Sequence, residues 1–141
     1  MSIEIKVEPY ISVGKCVFGM TRNELAKMLG EPISTNNYGY PSSDGFIDDY
    51  NFFYLLSDKN EVFEAVEIFP IYTDELIILI YDNKKIELST DLEKTLMKFA
   101  KITDDMIQDE DGYSSVKLGM GLFCPDGQVE NAIFYKQHYY D

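Results

Sequence analysis

Two short helix signals, each followed by strand and turn signals, divide the chain of 141 residues into two similar halves. The first is the capping box Thr21-Arg22-Asn23-Glu24. In this motif the Thr21 hydroxyl can accept a hydrogen bond from the Glu24 amide, and the Glu24 carboxylate can accept one from the Thr21 amide. An apolar stripe follows, and Gly30 and Pro32 supply a stop signal. The second is Thr90-Asp91-Leu92-Glu93, again followed by an apolar stripe. The pattern predicts two short helices that are capped by Thr21 and Thr90.

Runs rich in β-branched and aromatic residues surround turn-forming residues in both halves, which is the pattern of β-hairpins. The paired runs are residues 50–56 with 62–69, 75–81 with 85–88, and 117–123 with 128–135. Further short strands are predicted near the amino terminus, over residues 3–7 and 13–18. Residues 35–49 are rich in Gly, Pro, Ser, Asn and Asp, so they are predicted to form a loop.

These signals predict an α+β fold, a single domain over residues 1–141 with an antiparallel β-sheet and two short helices. In each half a helix, a polar loop and a hairpin follow in the same order, and the halves correspond when Val62 is aligned with Val129. We therefore expect two similar α–β–β units whose hairpins share one sheet, with both helices on one face. A chain of this length can bury a core without disulfides.

The charge balance excludes several classes of partner. Asp and Glu number 25 against 12 Lys and Arg, which gives a net charge of −13. Such a field repels nucleic acid and anionic membranes and favours a basic protein partner. No signal-peptide pattern is present, and the longest apolar run, residues 76–81, is too short to span a bilayer. Cys16 and Cys124 lack a metal or redox spacing, so we predict free thiols and a cytoplasmic location.

Few residues offer catalytic or metal-binding chemistry. The single histidine, His138, lies near the chain end, and no GxSxG, P-loop or GxGxxG motif occurs. Asp109, Asp111 and Gly112 match only a fragment of a calcium-binding loop. We therefore predict that the protein is not an enzyme and holds neither a metal nor a cofactor. A small enzyme that uses carboxylates remains the minor alternative.

A dense acidic segment follows the second helix signal. It is either a solvated loop or a docking surface for a basic protein, because clustered carboxylates repel one another unless a partner offsets the charge. A pair of aspartates provides a second acidic patch, and tyrosines in the predicted loop can act as apolar anchors. The candidate partner-binding residues are Asp104, Asp105, Asp109, Glu110, Asp111, Asp48, Asp49, Tyr38 and Tyr40. Tyr139 and Tyr140 fit either an interface or the core.

Two motifs, together with the order of the predicted elements, carry a resemblance that covers the chain from Val13 to Asp141. The VFGMT and LGEP segments around the first helix are similar to an element of many small bacterial proteins, including outer-membrane assembly lipoproteins and secreted β-lactamase inhibitory proteins. The segment SSVKLGMGLFCPDGQVENAIFYKQHYYD resembles the end of small acidic bacterial proteins with an LGL–PDG–VE–YYD pattern.

Proteins of this type resemble the immunity partners of bacterial polymorphic toxins, including contact-dependent growth inhibition systems. The resemblance implies that the chain binds a cognate basic toxin domain, most often a nuclease such as an RNase, and blocks its active site. The alternative is a cytosolic protein-binding module with a different partner.

Overall fold

The computed structural model describes residues 1–39 and 42–140, which form two β-sheets, two α-helices and one 3-10 turn. The α-helices are α1 (Arg22–Leu29) and α2 (Leu92–Phe99), and the 3-10 turn is Pro70–Tyr72. The strands are β1 (Ser2–Glu8), β2 (Ser12–Val13), β3 (Cys16–Val17), β4 (Ser34–Tyr38), β5 (Gly45–Asp49), β6 (Phe53–Ser57), β7 (Phe63–Ile68), β8 (Leu76–Tyr81), β9 (Lys84–Leu88), β10 (Ile107–Gln108), β11 (Gly112–Ser115), β12 (Met120–Phe123) and β13 (Asn131–Tyr135).

The first helix begins at the predicted capping box. The Thr21 hydroxyl accepts the Glu24 amide at 3.1 Å, and the Glu24 carboxylate accepts the Thr21 amide at 3.0 Å. Two of the orphan donors at the helix start are thereby satisfied. Gly30 ends the helix with a φ of 91°, a conformation that favours glycine. The Thr21 cap prediction is confirmed.

The second helix begins one residue later than the sequence predicts. Asp91, and not Thr90, is the N-cap, and its carboxylate accepts the Lys94 amide at 3.0 Å. The Thr90 carbonyl instead accepts a hydrogen bond from the Val129 amide at 2.9 Å, which joins Thr90 to the segment before β13. The prediction that Thr90 caps this helix is therefore wrong.

Asp91→Ala is expected to lower the free energy of unfolding by about 1 kcal/mol, the usual cost of losing an N-cap side chain. Thr90→Ala is the matched control and should cost less, since the Thr90 side chain caps nothing. Urea unfolding of both variants measures the difference. A larger loss for Thr90→Ala would contradict the Asp91 cap.

The two helix starts attach to the sheet in the same way. Thr21 forms an isolated bridge with Val62, and Asp91 forms one with Gln128. The internal correspondence therefore aligns Val62 with Gln128, one residue away from the predicted alignment with Val129.

Eight strands form one antiparallel sheet in the order β10-β11-β12-β13-β7-β6-β5-β4. The predicted hairpins β6–β7 and β12–β13 lie at its centre, where β13 pairs with β7. Each helix is followed by four strands that occupy one half of the sheet. The α+β class with two similar units is thus confirmed, although each unit contains two more strands than predicted.

Two local predictions in this sheet are wrong, and one strand was missed. Residues 35–49, predicted as a loop, contain most of β4 and all of β5. β4 is polar because it is an edge strand with only one neighbour, so it shows no apolar alternation. The predicted strand over 117–123 begins only at Met120, and the preceding β11 was not predicted.

A second sheet has the order β3-β2-β1-β8-β9. β1 and β8 pair in parallel, with Ile3 opposite Ile77, a pairing that no local signal in the sequence predicts. The predicted strand over 13–18 is instead the tight β2–β3 hairpin. This sheet and the buried helix residues Leu25 and Phe99 share one apolar core with the eight-stranded sheet.

The ladder register gives the eight-stranded sheet two distinct faces. Leu55, Val66 and Phe134 lie opposite one another and belong to the core, so they define the core face. Tyr54, Glu67 and Ile133 form the adjacent row, whose side chains point the other way. We call this second side the outer face.

Both cysteines are free thiols, as predicted. Burial raises the pKa of Cys16 to about 11, so its reactive thiolate is scarce at neutral pH. Among the described residues, no helix is long and apolar enough to cross a membrane.

Candidate protein-binding face

The outer face carries an open groove of about 640 Å³ across β7, β13, β12 and β11. Glu67 and Ile133 lie in its floor, and Tyr135 and Tyr140 border it on one side. The acidic residues 109–111 border it on the other. No lysine, arginine or histidine lines this groove among the residues that the structure describes. The groove is therefore acidic and aromatic.

The carboxyl-terminal tyrosines fold back onto the outer face. The ring of Tyr135 lies 5.8 Å from that of Tyr139 and 5.0 Å from that of Tyr140, measured between centroids. Burial, together with nearby acidic side chains, raises the pKa of both tail phenols. Tyr140 nevertheless remains 69% exposed, so it offers aromatic surface to a partner.

A second groove of about 350 Å³ adjoins the first along β4 and β7. Tyr140 lines both grooves, so they form one continuous surface. In the second groove the Tyr38 hydroxyl donates a hydrogen bond to Glu64, and Lys136 approaches the same carboxylate at 3.8 Å. Glu64 is the extra residue of a β-bulge, since Leu56 pairs with Ala65 and Ser57 pairs with Phe63.

Glu67, unlike Glu64, has no partner among residues 1–39 and 42–140. Its carboxylate makes no hydrogen bond or ion pair with any described residue. Burial, and secondarily the charge of Glu130, raises the pKa of Glu67 above its ordinary value. Glu67 is thus a half-buried acid with its charge uncompensated.

The predicted acidic segment is divided into two parts. Asp104 and Asp105 lie beside the Ser115 end of β11, while residues 109–111 precede its Gly112 end. Asp104 is exposed and forms an ion pair with Lys117 at 2.6 Å. Only the second part borders the large groove. The structure therefore does not bring the five carboxylates into one patch.

Asp105 is engaged in holding its own loop. Its carboxylate accepts hydrogen bonds from Thr103 at 2.6 Å, Ser115 at 2.5 Å and the Lys117 amide at 2.9 Å. Burial would raise the pKa of Asp105, but these hydrogen bonds outweigh it and lower the pKa to about 2.

The lowered pKa predicts a pH-dependent contribution of Asp105 to stability. The pKa of an aspartate in the unfolded chain is about 3.9. Because the pKa of Asp105 is lower in the folded protein, its ionised form stabilises the fold above that pH. The contribution is lost as the pH falls from about 3.9 to about 2. Asp105→Asn should be less stable than the natural protein at pH 7, and the difference should shrink by pH 2. Urea unfolding midpoints of both proteins between pH 7 and pH 2 test this prediction. A stability difference that does not change with pH would contradict it.

Residues 109–111 form a compact turn at the groove rim. The Asp109 carboxylate accepts the amides of Asp111 at 3.0 Å and Gly112 at 2.8 Å. Glu110 and Asp111 are left exposed at the tip of this turn. Asp109 therefore stabilises the turn, and Glu110 and Asp111 present their negative charges to solvent.

The second predicted patch separates across β5. Asp48 points to the core side, is only 5% exposed, and accepts two hydrogen bonds from Arg22, both at 2.8 Å. Thr35 donates a third at 2.7 Å. Asp48 is therefore occupied internally, and we omit it from the candidate surface. Asp49 shares the outer-face row of Tyr54.

The two predicted tyrosine anchors have different outcomes. Tyr38 lines the second groove. Tyr40 lies outside the described residues. Sequence reasoning missed Glu67 and Tyr135, since each looks like an ordinary residue of a strand pattern. The alternation of β7 could have identified Glu67 as an outer-face residue only once the neighbouring strands were known.

No protein-family model, curated protein or solved structure matches this chain. Within residues 1–39 and 42–140, no group of three or more His, Cys, Asp or Glu side chains is placed to hold a metal ion.

Proposed function

We propose that the protein is a cytoplasmic immunity protein that binds a basic bacterial toxin domain, most often a nuclease such as an RNase, through the outer face. The observation that carries the proposal is the groove on this face, which combines tyrosines and carboxylates and has no basic lining residue in the part of the chain that the structure describes. Tyrosine gives large contact area at low entropic cost, and unpaired carboxylates complement Lys and Arg. The resemblance at both ends of the chain supports the choice of a toxin as partner.

The proposed inhibition needs no chemistry from this chain. A nuclease lines its cleft with Lys and Arg to attract phosphates. The exposed carboxylates of Glu110 and Asp111, at the tip of the rim turn, can occupy the positions of those phosphates. Tyr38 in the second groove and Tyr140, which lines both grooves, then supply apolar contacts. Substrate is excluded because the cleft is filled.

Electrostatic steering should make the association fast. A net charge of −13 attracts a basic domain from a distance, so the on-rate should exceed the neutral range of about 10⁵–10⁶ M⁻¹s⁻¹ and fall with salt. Asp104, which is exposed but lies away from the groove, contributes to this long-range field.

Co-expression with the product of a neighbouring toxin reading frame tests the proposal. We expect the two proteins to co-purify and the cells to survive the toxin. Glu110→Gln/Asp111→Asn should lower the on-rate by about 3- to 10-fold. Asp82→Asn/Glu87→Gln, which removes one charge from the β8–β9 turn and one from β9, is the matched control and should have a smaller effect.

Two results would overturn the proposal. One is the absence of a complex and of protection when the natural chain meets the toxin. The other is tight binding to a partner that is not a toxin, which would favour the alternative of a general protein-binding module.

A further inference from the structure

Glu67 is placed where an unpaired charge is costly. It lies on β7 in the middle of the eight-stranded sheet, between Tyr54 of β6 and Ile133 of β13. Half-buried carboxylates are usually compensated by a cation or by several hydrogen-bond donors. Glu67 has neither among the described residues, so its free energy would fall if a cation entered the groove.

The surroundings of Glu67 suit a cation and not an anion. Asp109 and Asp111 border the same groove, and Tyr135 and Tyr140 offer aromatic surface there. The faces of tyrosine rings attract Lys and Arg side chains. The basic side chain of Lys136, which follows Tyr135 in the chain, is directed to Glu64 at 3.8 Å. Among the described residues, the side chains that line this groove are therefore acidic, aromatic or uncharged, and none is a cation.

We propose that this groove receives one arginine side chain from a loop of the basic partner protein, with Glu67 as its carboxylate acceptor. Arginine fits better than lysine because its planar guanidinium can stack on a tyrosine ring while it donates two hydrogen bonds to one carboxylate. The groove is open and continues into the second groove past Tyr140, which suits a side chain carried by a protein loop. The identity of the partner as a toxin rests on the proposed function, but the chemistry of this site does not.

Titration of the full chain with N-acetyl-arginine methylamide tests the site without a partner protein. The control probe is the citrulline analogue, which has the same shape but no charge. We expect saturable amide shifts at Glu67, Ile133 and Tyr140 with the arginine probe and none with the citrulline probe. Glu67→Gln should weaken the arginine probe by about 10-fold. Glu87→Gln removes the same charge from β9 and should leave probe binding unchanged.

Glu67→Gln should also keep or raise the melting temperature, because it removes an unpaired, half-buried charge. A folded variant that binds the arginine probe as well as the natural chain would overturn the inference. Equal amide shifts with the citrulline probe would also overturn the inference, because the groove would then bind the side chain without regard to its charge.

Binding measurements with the toxin domain distinguish failure of this inference from failure of the proposed function. If the arginine probe saturates the groove but no toxin binds, the cation site stands and the proposed function fails. If the toxin binds the natural chain and Glu67→Gln equally well, the proposed function stands and the role of Glu67 fails. Loss of at least about 10-fold in toxin affinity on Glu67→Gln, with Glu87→Gln unaffected, supports both.

Discussion

Gly112→Ala is expected to lower the free energy of unfolding by about 4 kcal/mol, because no space exists for a side chain at this position. A Cβ atom at Gly112 would lie 1.8 Å from the carbonyl oxygen of Leu122 and 2.9 Å from its carbonyl carbon. Both are backbone atoms held in the β11–β12 ladder, so they cannot move without breaking the pairing. The measurement is the urea midpoint at constant slope.

Gly121→Ala is the matched control for this prediction. Gly121 lies on β12, and a Cβ atom there would approach the Tyr113 carbonyl oxygen only to 3.4 Å. Its stability should stay within about 1 kcal/mol of the natural protein. Similar losses in the two variants would show that the close approach at Gly112 does not determine stability.

Gly112→Ala should also affect partner binding. The Gly112 amide donates to Asp109 at 2.8 Å, and its carbonyl accepts the Asp109 amide at 2.9 Å. These bonds close the turn that carries Glu110 and Asp111. A displaced Gly112 would therefore move the charged tip away from the groove rim.

The features predicted from the sequence are those that short segments determine by themselves. The Thr21 capping box spans four residues, and its hydrogen bonds form within that span. The central hairpins are likewise set by local turn chemistry and β-rich runs. The parallel pairing of β1 with β8 depends instead on two distant segments meeting, so no local pattern contains it.

Edge strands and surfaces are less predictable for the same reason. β4 has the sequence STNNY, which shows no apolar alternation because one of its edges and most of its side chains face solvent. The acidic segment looks continuous, yet β10 separates Asp105 from Asp109 when it pairs with β11. Charge density along a chain therefore does not determine which carboxylates meet in space.

Asp48 and Asp49 illustrate this limit at a single pair of residues. They are adjacent and chemically identical in sequence, but successive residues of a strand point to opposite faces. Asp49 lies on the outer face, whereas Asp48 meets Arg22 of α1, which is 26 positions away in the chain. Only the tertiary fold distinguishes a surface charge from an internal one here.

Arg22→Met is expected to lower the free energy of unfolding by about 3 kcal/mol, because it leaves Asp48 buried without its counter-ion. Arg22 donates to both Asp48 oxygens at 2.8 Å and to Glu61 at 3.0 Å, and its guanidinium carbon lies 4.3 Å from the centre of the Phe46 ring. Methionine preserves much of the packing volume, so the loss should report mainly on the charge. Urea unfolding measures it.

Lys117→Met is the matched control, since it removes the cation of an exposed ion pair with Asp104 at 2.6 Å. Exposed pairs contribute about 0–1 kcal/mol, so this variant should remain close to the natural protein. Adding Asp48→Val to Arg22→Met should restore most of the lost stability, because the uncompensated charge is then gone. Equal losses in Arg22→Met and Lys117→Met, or no recovery in the double variant, would show that the buried charge is not the cause. The double variant should still bind the partner, because Asp48 lies on the core side of the sheet and the groove lies on the other.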